Sequence, residues 1–311
     1  MKMDQLGSLA VTAVGLGCNQ FGNRCDAAQS AKVVHAALDS GINFFDTADV
    51  YGSGLSEEYL GKALGRDRDE VVIASKFGHQ FGDSPEDKGG SERWISKAVE
   101  ASLRRLGTDR IDLYQMHLPD PEVPIDKTLE ALTRLIKDGK VIEIGCSNFS
   151  GEQIEEAERV SSDRGYARFV SAQNHFSLLT REPEKDVVPV CESRGLGLLP
   201  YFPLESGMLT GKYRRDEEAP EGTRLSTVPQ DRRSRFMNDR AFDVVERLEE
   251  LASGWGIGLL DIAISWLAAR KSVASVIAGA TKPEQVKANV EAARWVPGSE
   301  ELAAIDEATS S

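Results

Sequence analysis

The chain has 311 residues, 41% of them apolar and 28% charged, which is ordinary globular composition with enough material for a sizeable core. Its 37 lysines and arginines against 50 aspartates and glutamates leave a formal charge of −13. Such a surface repels nucleic-acid phosphates and anionic lipids, so neither is expected as a partner, although a local cationic pocket for one small phosphate is compatible with it.

Four cysteines, Cys18, Cys25, Cys146 and Cys191, show no CxxC spacing and no companion histidine cluster. They read as free thiols in a reducing cytoplasm, with no metal expected. The start, MKMDQLGSLA, lacks the apolar core of a signal peptide. No run of ~18 apolar residues predicts a membrane span.

In chain order, LGSLAVTAVGLG places a Gly-Ser turn between short apolar stretches, as in a hairpin closing a barrel floor. Eight apolar runs follow: VGLG near 14, NFFD near 43, VVIASK at 71, IDLYQMH at 111, VIEIGCS at 141, FVSAQNH at 169, GLGLLPYF at 195 and VASVIAGA at 273. Helical patterns lie between them at 27–40, 56–64, 91–106, 126–138, 150–164, 184–193, about 239–270 and 283–292, with a short last helix at about 299–308. In the 91–106 pattern, Trp94, Ile95, Ala98, Val99, Ser102, Leu103 and Leu106 form one apolar stripe, and Gly107 marks a stop.

Strands alternating with helices imply parallel pairing through right-handed crossovers. Eight such units predict an α/β fold, a (β/α)8 TIM barrel with an N-terminal hairpin, an extra helix after strand 7 and a short C-terminal helix. A doubly wound open sheet is the alternative, but no GxGxxG follows the first strand. No linker or repeat interrupts the pattern, so residues 1–311 are expected to form a single domain. The long polar excursion at 205–238 suits a functional loop.

FFDTADVYGSG puts Asp46 at a strand end and Tyr51 in the loop after it. Lys76 ends the third strand and His117 the fourth. Four ionisable groups thus meet at the carboxyl rim, where barrel enzymes hold their sites. Any one of them alone is more simply a turn former or a packing residue. Together they suit proton transfer. A phenol with a reference pKa of about 10 is a weak acid, a nearby ammonium strengthens it, and a carboxylate can fix that ammonium.

These segments resemble the aldo-keto reductases. FFDTADVYGSGLSEEYLGKAL, ASKFG, ASLRRLGTDRIDLYQMH, IGCSNF, SAQNHFS and YFPLESGMLTGKY are similar to that family's signature segments, in its order, and the likeness runs from GLGCNQFG to GATKPEQVKANV. The resemblance implies an Asp-Tyr-Lys-His tetrad at Asp46, Tyr51, Lys76 and His117. It also implies a nicotinamide cofactor held without a Rossmann fold, NADP(H) with some use of NAD(H), and reduction of an aldehyde or ketone with Tyr51 as general acid.

Cofactor positions carry over in the same way. Ser147, Asn148 and Gln173 match the carboxamide contacts, and a Ser150–Gln153 capping box accounts for part of the same pattern. Tyr201 matches the aromatic that stacks on the nicotinamide. Pro203, Leu204, Gly207 and Lys212 match the pyrophosphate loop, with Phe202 where many members have Ser. The resemblance puts a 2′-phosphate near Gly279, Thr281, Lys282, Gln285 and Asn289 at a helix start. Many members have Lys and Arg where this chain has Gly279 and Gln285, and Glu where it has Ala288, so Lys282 is the candidate for the missing charge. Thr281, Pro283 and Glu284 also read as an ordinary helix start, with Thr281 capping and Glu284 in the box.

Phe21, Phe77, Trp94 and Phe149 are expected to line or border the substrate pocket. The chain ends at Ser311, soon after its last helix. That suits a small or open-ended carbonyl compound, or a sugar-derived one. Two other functions fit the same residues: a cofactor-binding, redox-sensing regulatory subunit with little turnover, and a phosphosugar aldolase using Lys76 as a Schiff base.

Overall fold

The computed structural model describes residues 1–310. Two antiparallel strands come first, β1 (Met3–Leu6) and β2 (Leu9–Thr12), joined at Gly7, whose φ of 60° lies in the left-handed region. Eight parallel strands follow: β3 (Val14–Gly17), β4 (Phe44–Asp46), β5 (Val72–Phe77), β6 (Ile111–Met116), β7 (Val141–Ser147), β8 (Phe169–Gln173), β9 (Gly197–Leu198) and β10 (Val276–Gly279). They neighbour one another in the order β10-β3-β4-β5-β6-β7-β8-β9. Bridges from Leu198 to Val273 and from Tyr201 to Ile277 join the two edges, and Ile277 N donates to the Pro200 carbonyl at 2.9 Å. The sheet therefore closes into the expected barrel.

The helices are α1 (Ala27–Asp39), α2 (Leu55–Leu64), α3 (Glu92–Leu106), α4 (Ile125–Lys137), α5 (Gly151–Arg164), α6 (Val187–Arg194), α7 (Gln230–Arg233), α8 (Asp239–Trp255), α9 (Leu259–Ala268), α10 (Pro283–Ala292) and α11 (Ser299–Thr309). The buried residues of α3 are those of the predicted stripe, and Gly107 ends the helix at φ 66°. The pattern at 239–270 is two helices, not one. Gly256 closes α8 in the left-handed conformation, the Asp261 carboxylate caps Gly258 N at 2.7 Å, and the axes of α8 and α9 meet at 94°. No single helix among the described residues is long and apolar enough to cross a membrane.

Strand alternation separates two apolar cores. Phe44, Val72, Ala74, Leu113, Val170, Leu199 and Ala274 face the barrel interior, where Leu6, Leu9 and Val11 of the hairpin join them. Ile73, Tyr114 and Met116 face the helices. The hairpin thus plugs the floor, and Glu143 accepts from Ser8 N and Oγ, both at 2.8 Å. Interior side chains turn polar toward the other rim, where Asp46, Lys76, Gln115 and Gln173 stand.

The 205–238 excursion is anchored along its length. Tyr213 and Leu225 are buried, and Leu225 N donates to Tyr213 Oη at 3.3 Å. Arg215 pairs with Asp243 and Glu246 on α8.

Candidate functional site

Three strand ends build the centre of the site. Lys76, without solvent exposure, donates from Nζ to Asp46 Oδ2 at 2.7 Å and to the Thr47 carbonyl at 2.8 Å. The same ammonium lies 3.4 Å from Tyr51 Oη and 4.9 Å from its ring centre. Asp46 Oδ1 accepts from Gln173 Nε2 at 2.8 Å and from Gln115 Nε2 at 3.4 Å. Both carboxylate oxygens are therefore satisfied, as a buried charge requires.

The electrostatics follow from this packing. Burial opposes charge on Lys76, yet Asp46 and Tyr51 together hold its pKa above the ordinary lysine value. Burial raises the Tyr51 phenol, and the opposing influence of Lys76 is smaller. The phenol therefore does not become a stronger acid than usual, contrary to the simple sequence argument. It stays protonated at neutral pH. Burial, then Lys76, then His79 push His117 down to about 2, so its imidazole is neutral. The His117 ring stands 5.8 Å from that of Tyr51 and 4.4 Å from that of His79, edge to face in both cases.

The next two strands supply an amide cluster. Ser147 Oγ donates to the Gln173 carbonyl at 2.9 Å. Asn148, at a φ of 62° that Asn tolerates better than most residues, donates from Nδ2 to the His117 carbonyl at 2.9 Å. Its Oδ1 accepts from Tyr201 Oη at 2.8 Å. Tyr201 stacks on His175 at 5.4 Å. Ser150 and Gln153 form the predicted capping box of α5.

A strained turn continues the site past Tyr201. Phe202, Glu205 and Ser206 have φ values of 53°, 45° and 56°, and only tertiary contacts hold three non-glycine residues there. Glu205 is buried and supplies those contacts, since its Oε1 accepts from His175 Nε2 at 2.7 Å and from Thr180 Oγ1 at 2.8 Å. The Lys212 ammonium lies over Gly207, where a Cβ would collide with it. Arg24 donates to the Gly222 carbonyl at 2.8 Å, and the Arg224 guanidinium sits 4.7 Å above the Phe202 ring. Desolvation, then Arg24 and Arg224, lower the Lys212 pKa, so these three cations repel one another.

The start of α10 differs from the sequence reading. Lys282, not Thr281, is the capping residue, and Gln285, not Glu284, reaches back. Gln285 Oε1 accepts from Thr281 N at 2.8 Å and Lys282 N at 3.1 Å, which engages its carbonyl and leaves its amide donors.

A single cleft of about 770 Å³ connects all of this, from His79 and His117 past Tyr51 and Tyr201 to Lys212, Thr281, Lys282 and Asn289. Pro203, Leu204, Gly207, Gly279, Gln285, Ser147, Asn148 and Gln173 also line it. Lys76 stands behind Tyr51 and does not reach its surface. The four aromatic pocket residues are misplaced by the sequence reading. Phe21 and Phe77 are at 0% exposure and Trp94 and Phe149 at 3%, all within the core between sheet and helices. Sequence reasoning missed Asn19, Gln20, Arg24, His79, Gln115, Glu205 and Arg224. Strand alternation could have found Gln115, two residues before His117, and position just beyond a strand end could have found Asn19, Gln20 and His79.

The fold and site define a (β/α)8 barrel protein whose rim brings together a phenol, an ammonium, a carboxylate and a neutral imidazole. A family model described as Aldo/keto reductase family matches residues 13–310. The chain is 36% identical over 298 residues to a putative voltage-gated potassium channel subunit beta of Schizosaccharomyces pombe, covering 93% of this chain and 86% of that one. It is 35% identical over 301 residues to aldo-keto reductase YhdN of Bacillus subtilis (94% and 88%) and 34% identical over 281 residues to a probable voltage-gated potassium channel subunit beta of Oryza sativa subsp. japonica (89% and 85%). The chain belongs to the aldo/keto reductase family, and its activity is that of an oxidoreductase.

Proposed function

We propose that this protein reduces an aldehyde or ketone to an alcohol at the expense of NADPH, with Tyr51 as the proton donor. The observation that carries this reading is the 3.4 Å approach of Lys76 Nζ to Tyr51 Oη, with the ammonium fixed by Asp46. His117 is held neutral by burial and by Lys76, so its imidazole offers one N–H and one lone pair, which suits orienting the substrate oxygen.

The cleft suits a nicotinamide dinucleotide on this chain's own residues. Ser147, Asn148 and Gln173 would hold the carboxamide and Tyr201 would cover one ring face. The turn at 203–207 with Lys212 would take the pyrophosphate. Arg24, Arg224 and Lys282 add positive charge at the far end of an otherwise acidic protein. When bound, the cofactor supplies the hydride. Tyr51 then breaks its O–H bond to protonate the substrate oxygen, and Lys76 stabilises the phenolate left behind, offsetting the burial that otherwise resists it. Asp46 keeps Lys76 in place, and neutral His117 orients the substrate oxygen.

The test is consumption of NADPH by the purified protein with a panel of small aldehydes and ketones, against NADH. The names of the yeast and rice relatives favour a second reading, a cofactor-binding regulatory subunit with little turnover. Tight NADPH binding with no carbonyl-dependent oxidation would support it and would overturn the first.

A further inference from the structure

The turn that carries Tyr51 is held from outside the cleft. Tyr51 is followed by Gly52, Ser53 and Gly54, with φ values of 56°, 55° and 95°. Three successive left-handed residues, one of them a serine, persist only where the surroundings fix them. No side chain caps the turn. On one side it packs on the loop after β3, since a Cβ on Gly52 would meet the Phe21 carbonyl at 2.7 Å. On the other it packs on Arg105 of α3, where a Cβ on Gly54 would meet Cδ at 2.8 Å.

Arg105 belongs to a second buried ion pair. Its Nε donates to Glu57 Oε2 at 2.7 Å, with side-chain exposures of 16% and 0%. The other carboxylate oxygen, Oε1, accepts from Ser75 Oγ at 2.5 Å. Ser75 immediately precedes Lys76 in β5 and points to the helices, while Lys76 points into the barrel. Glu57 thus ties together α2, which continues directly from the Tyr51 turn, the strand of Lys76, and α3. None of Glu57, Ser75 and Arg105 lines the cleft.

An acid in the first turn of a helix has a simpler role, complementing the free N–H groups there. That role needs no burial, whereas Glu57 is wholly buried. It also stands near a second carboxylate, Asp49, which is 1% exposed and has one oxygen without a partner. Replacing a buried ion pair by apolar residues of the same volume is often neutral, so stability alone does not account for Glu57 and Arg105. Their geometry bears directly on the 3.4 Å between Lys76 Nζ and Tyr51 Oη.

Building on the reading of Tyr51 as proton donor, we infer that Glu57 is a positioning residue for the proton transfer. Held by Ser75 and Arg105, it locks the Tyr51 turn to the Lys76 strand. It thereby sets the distance over which the ammonium stabilises the developing phenolate. Glu57 acts through Tyr51 and Lys76 and touches neither substrate nor cofactor.

The experiment compares wild type, Tyr51→Phe and variants of the pair, with NADPH and a small aldehyde. Glu57→Gln keeps the volume but puts an NH2 where one acceptor oxygen stood. It should lower kcat ~10- to 100-fold, the effect of shifting a reacting group by about 1 Å, and leave the NADPH dissociation constant unchanged. Ser75→Ala cuts only the tie to β5 and should lower kcat by less. Arg105→Lys, which keeps a charged donor, should retain more activity than Arg105→Gln. In Glu57→Gln and Ser75→Ala the basic limb of the pH profile should move up, because a phenol farther from Lys76 holds its proton more tightly. Around that phenol Lys76 favours the phenolate, and burial, Asp46 and Cys18 oppose it. Loss of the Glu57 charge without any movement would move the limb down instead. Crystal structures of the two variants should show the Tyr51–Lys76 separation lengthened beyond 3.4 Å.

A lower Tm with kcat and the limb unchanged would make Glu57 merely structural and overturn the inference. A downward limb, or an unmoved Tyr51, does the same. If Glu57→Gln fails to fold, Ser75→Ala decides by the same readouts. An inactive Tyr51→Phe beside fully active Glu57→Gln and Ser75→Ala overturns this inference alone. If Tyr51→Phe keeps its kcat, the proton-donor reading falls and takes the inference with it. Absence of turnover in the wild type does so through the reductase reading.

Discussion

Lys76 and Asp46 form an ion pair at 2.7 Å with 0% and 4% of their side chains exposed, at adjacent strand ends inside the barrel. Removing two charges from water is unfavourable unless each finds full compensation. Asp46 finds it in Lys76, Gln173 and Gln115, and Lys76 in Asp46 and the Thr47 carbonyl. The pair leaves the third approach of the ammonium, at 3.4 Å, to the Tyr51 hydroxyl. A packing role alone would be met by two apolar residues of the same volume. The arrangement makes chemical sense when Tyr51 gives up a proton.

Tyr51→Phe removes that proton and little else. The ring stays against Lys76 and His117, so cofactor affinity should change by less than about twofold, while kcat for carbonyl reduction falls ~100- to 10,000-fold, the usual worth of a general acid. Steady-state kinetics beside a cofactor titration separates the two quantities. A variant with near-normal kcat would move the proton donor elsewhere.

Lys76→Met should lower turnover strongly and move the basic limb of the pH profile to higher pH. The sign follows from the groups around the phenol. Tyr51 must be protonated to act, so reduction is lost as pH rises through its pKa. Burial already raises that pKa, and Lys76 is the main group opposing it. Without the ammonium, and with Asp46 no longer neutralised beside it, the phenol holds its proton more tightly. The same substitution strands a buried carboxylate, so a lower Tm is expected as well. Lys76→Met with an unchanged limb would show that another group sets it.

Asp49 lies three residues after Asp46, is buried, and has one carboxylate oxygen without a partner. Burial first, then Glu57, raise its pKa from 3.8 to about 8. Between those values the folded protein holds a proton that the unfolded chain has released. Stability therefore declines as pH rises from about 4 to about 8 on account of this group. Asp49→Asn mimics the protonated acid and abolishes the titration. Its Tm relative to wild type should be near its lowest at pH 4 and rise steadily to pH 8. Thermal melts across that range check it, and a difference that is flat or falls with pH contradicts the assignment.

The barrel was legible because alternation of short apolar runs with helical stripes is a property of the chain itself. The cluster at the rim was legible for the same reason: Asp46, Lys76 and His117 each lie at a strand end, and strand ends in a parallel barrel share one face. The pocket walls were not. Trp94 already sat on the buried stripe of α3, so its side chain was committed to the core before any pocket was considered. Phe21 lies in a turn whose neighbours Gln20 and Asn19 take the cleft-facing positions, a choice made by loop geometry that periodicity does not encode. The break between α8 and α9 rests on Gly256 and Gly258, present in the sequence but overridden in the reading by the long apolar run after them. The cation cluster of Arg24, Lys212 and Arg224 joins segments about 200 residues apart and becomes visible only once the chain is folded.

That cluster decides the last prediction, on cofactor choice. Lys282 is exposed at the start of α10, where free backbone N–H groups also favour an anion. Gln285 keeps its carbonyl on the helix cap and can offer only its amide donors. Lys282→Ala should therefore weaken NADPH binding about tenfold, one charged hydrogen bond, and leave NADH within about twofold. Because the contact is exposed, the NADPH loss should shrink with added salt. Arg24→Ala is expected to behave differently. Arg24 ties the excursion to the barrel through the Gly222 carbonyl, so its removal should weaken NADPH and NADH alike and hasten release of both. The measurement is the pair of dissociation constants for each variant at low and moderate salt. Equal weakening of both cofactors in Lys282→Ala would show that Lys282 does not read the 2′-phosphate. NADPH selectivity that survives Lys282→Ala but falls in Arg224→Ala would assign that phosphate to Arg224, whose guanidinium already lies over Phe202 at the same end of the cleft.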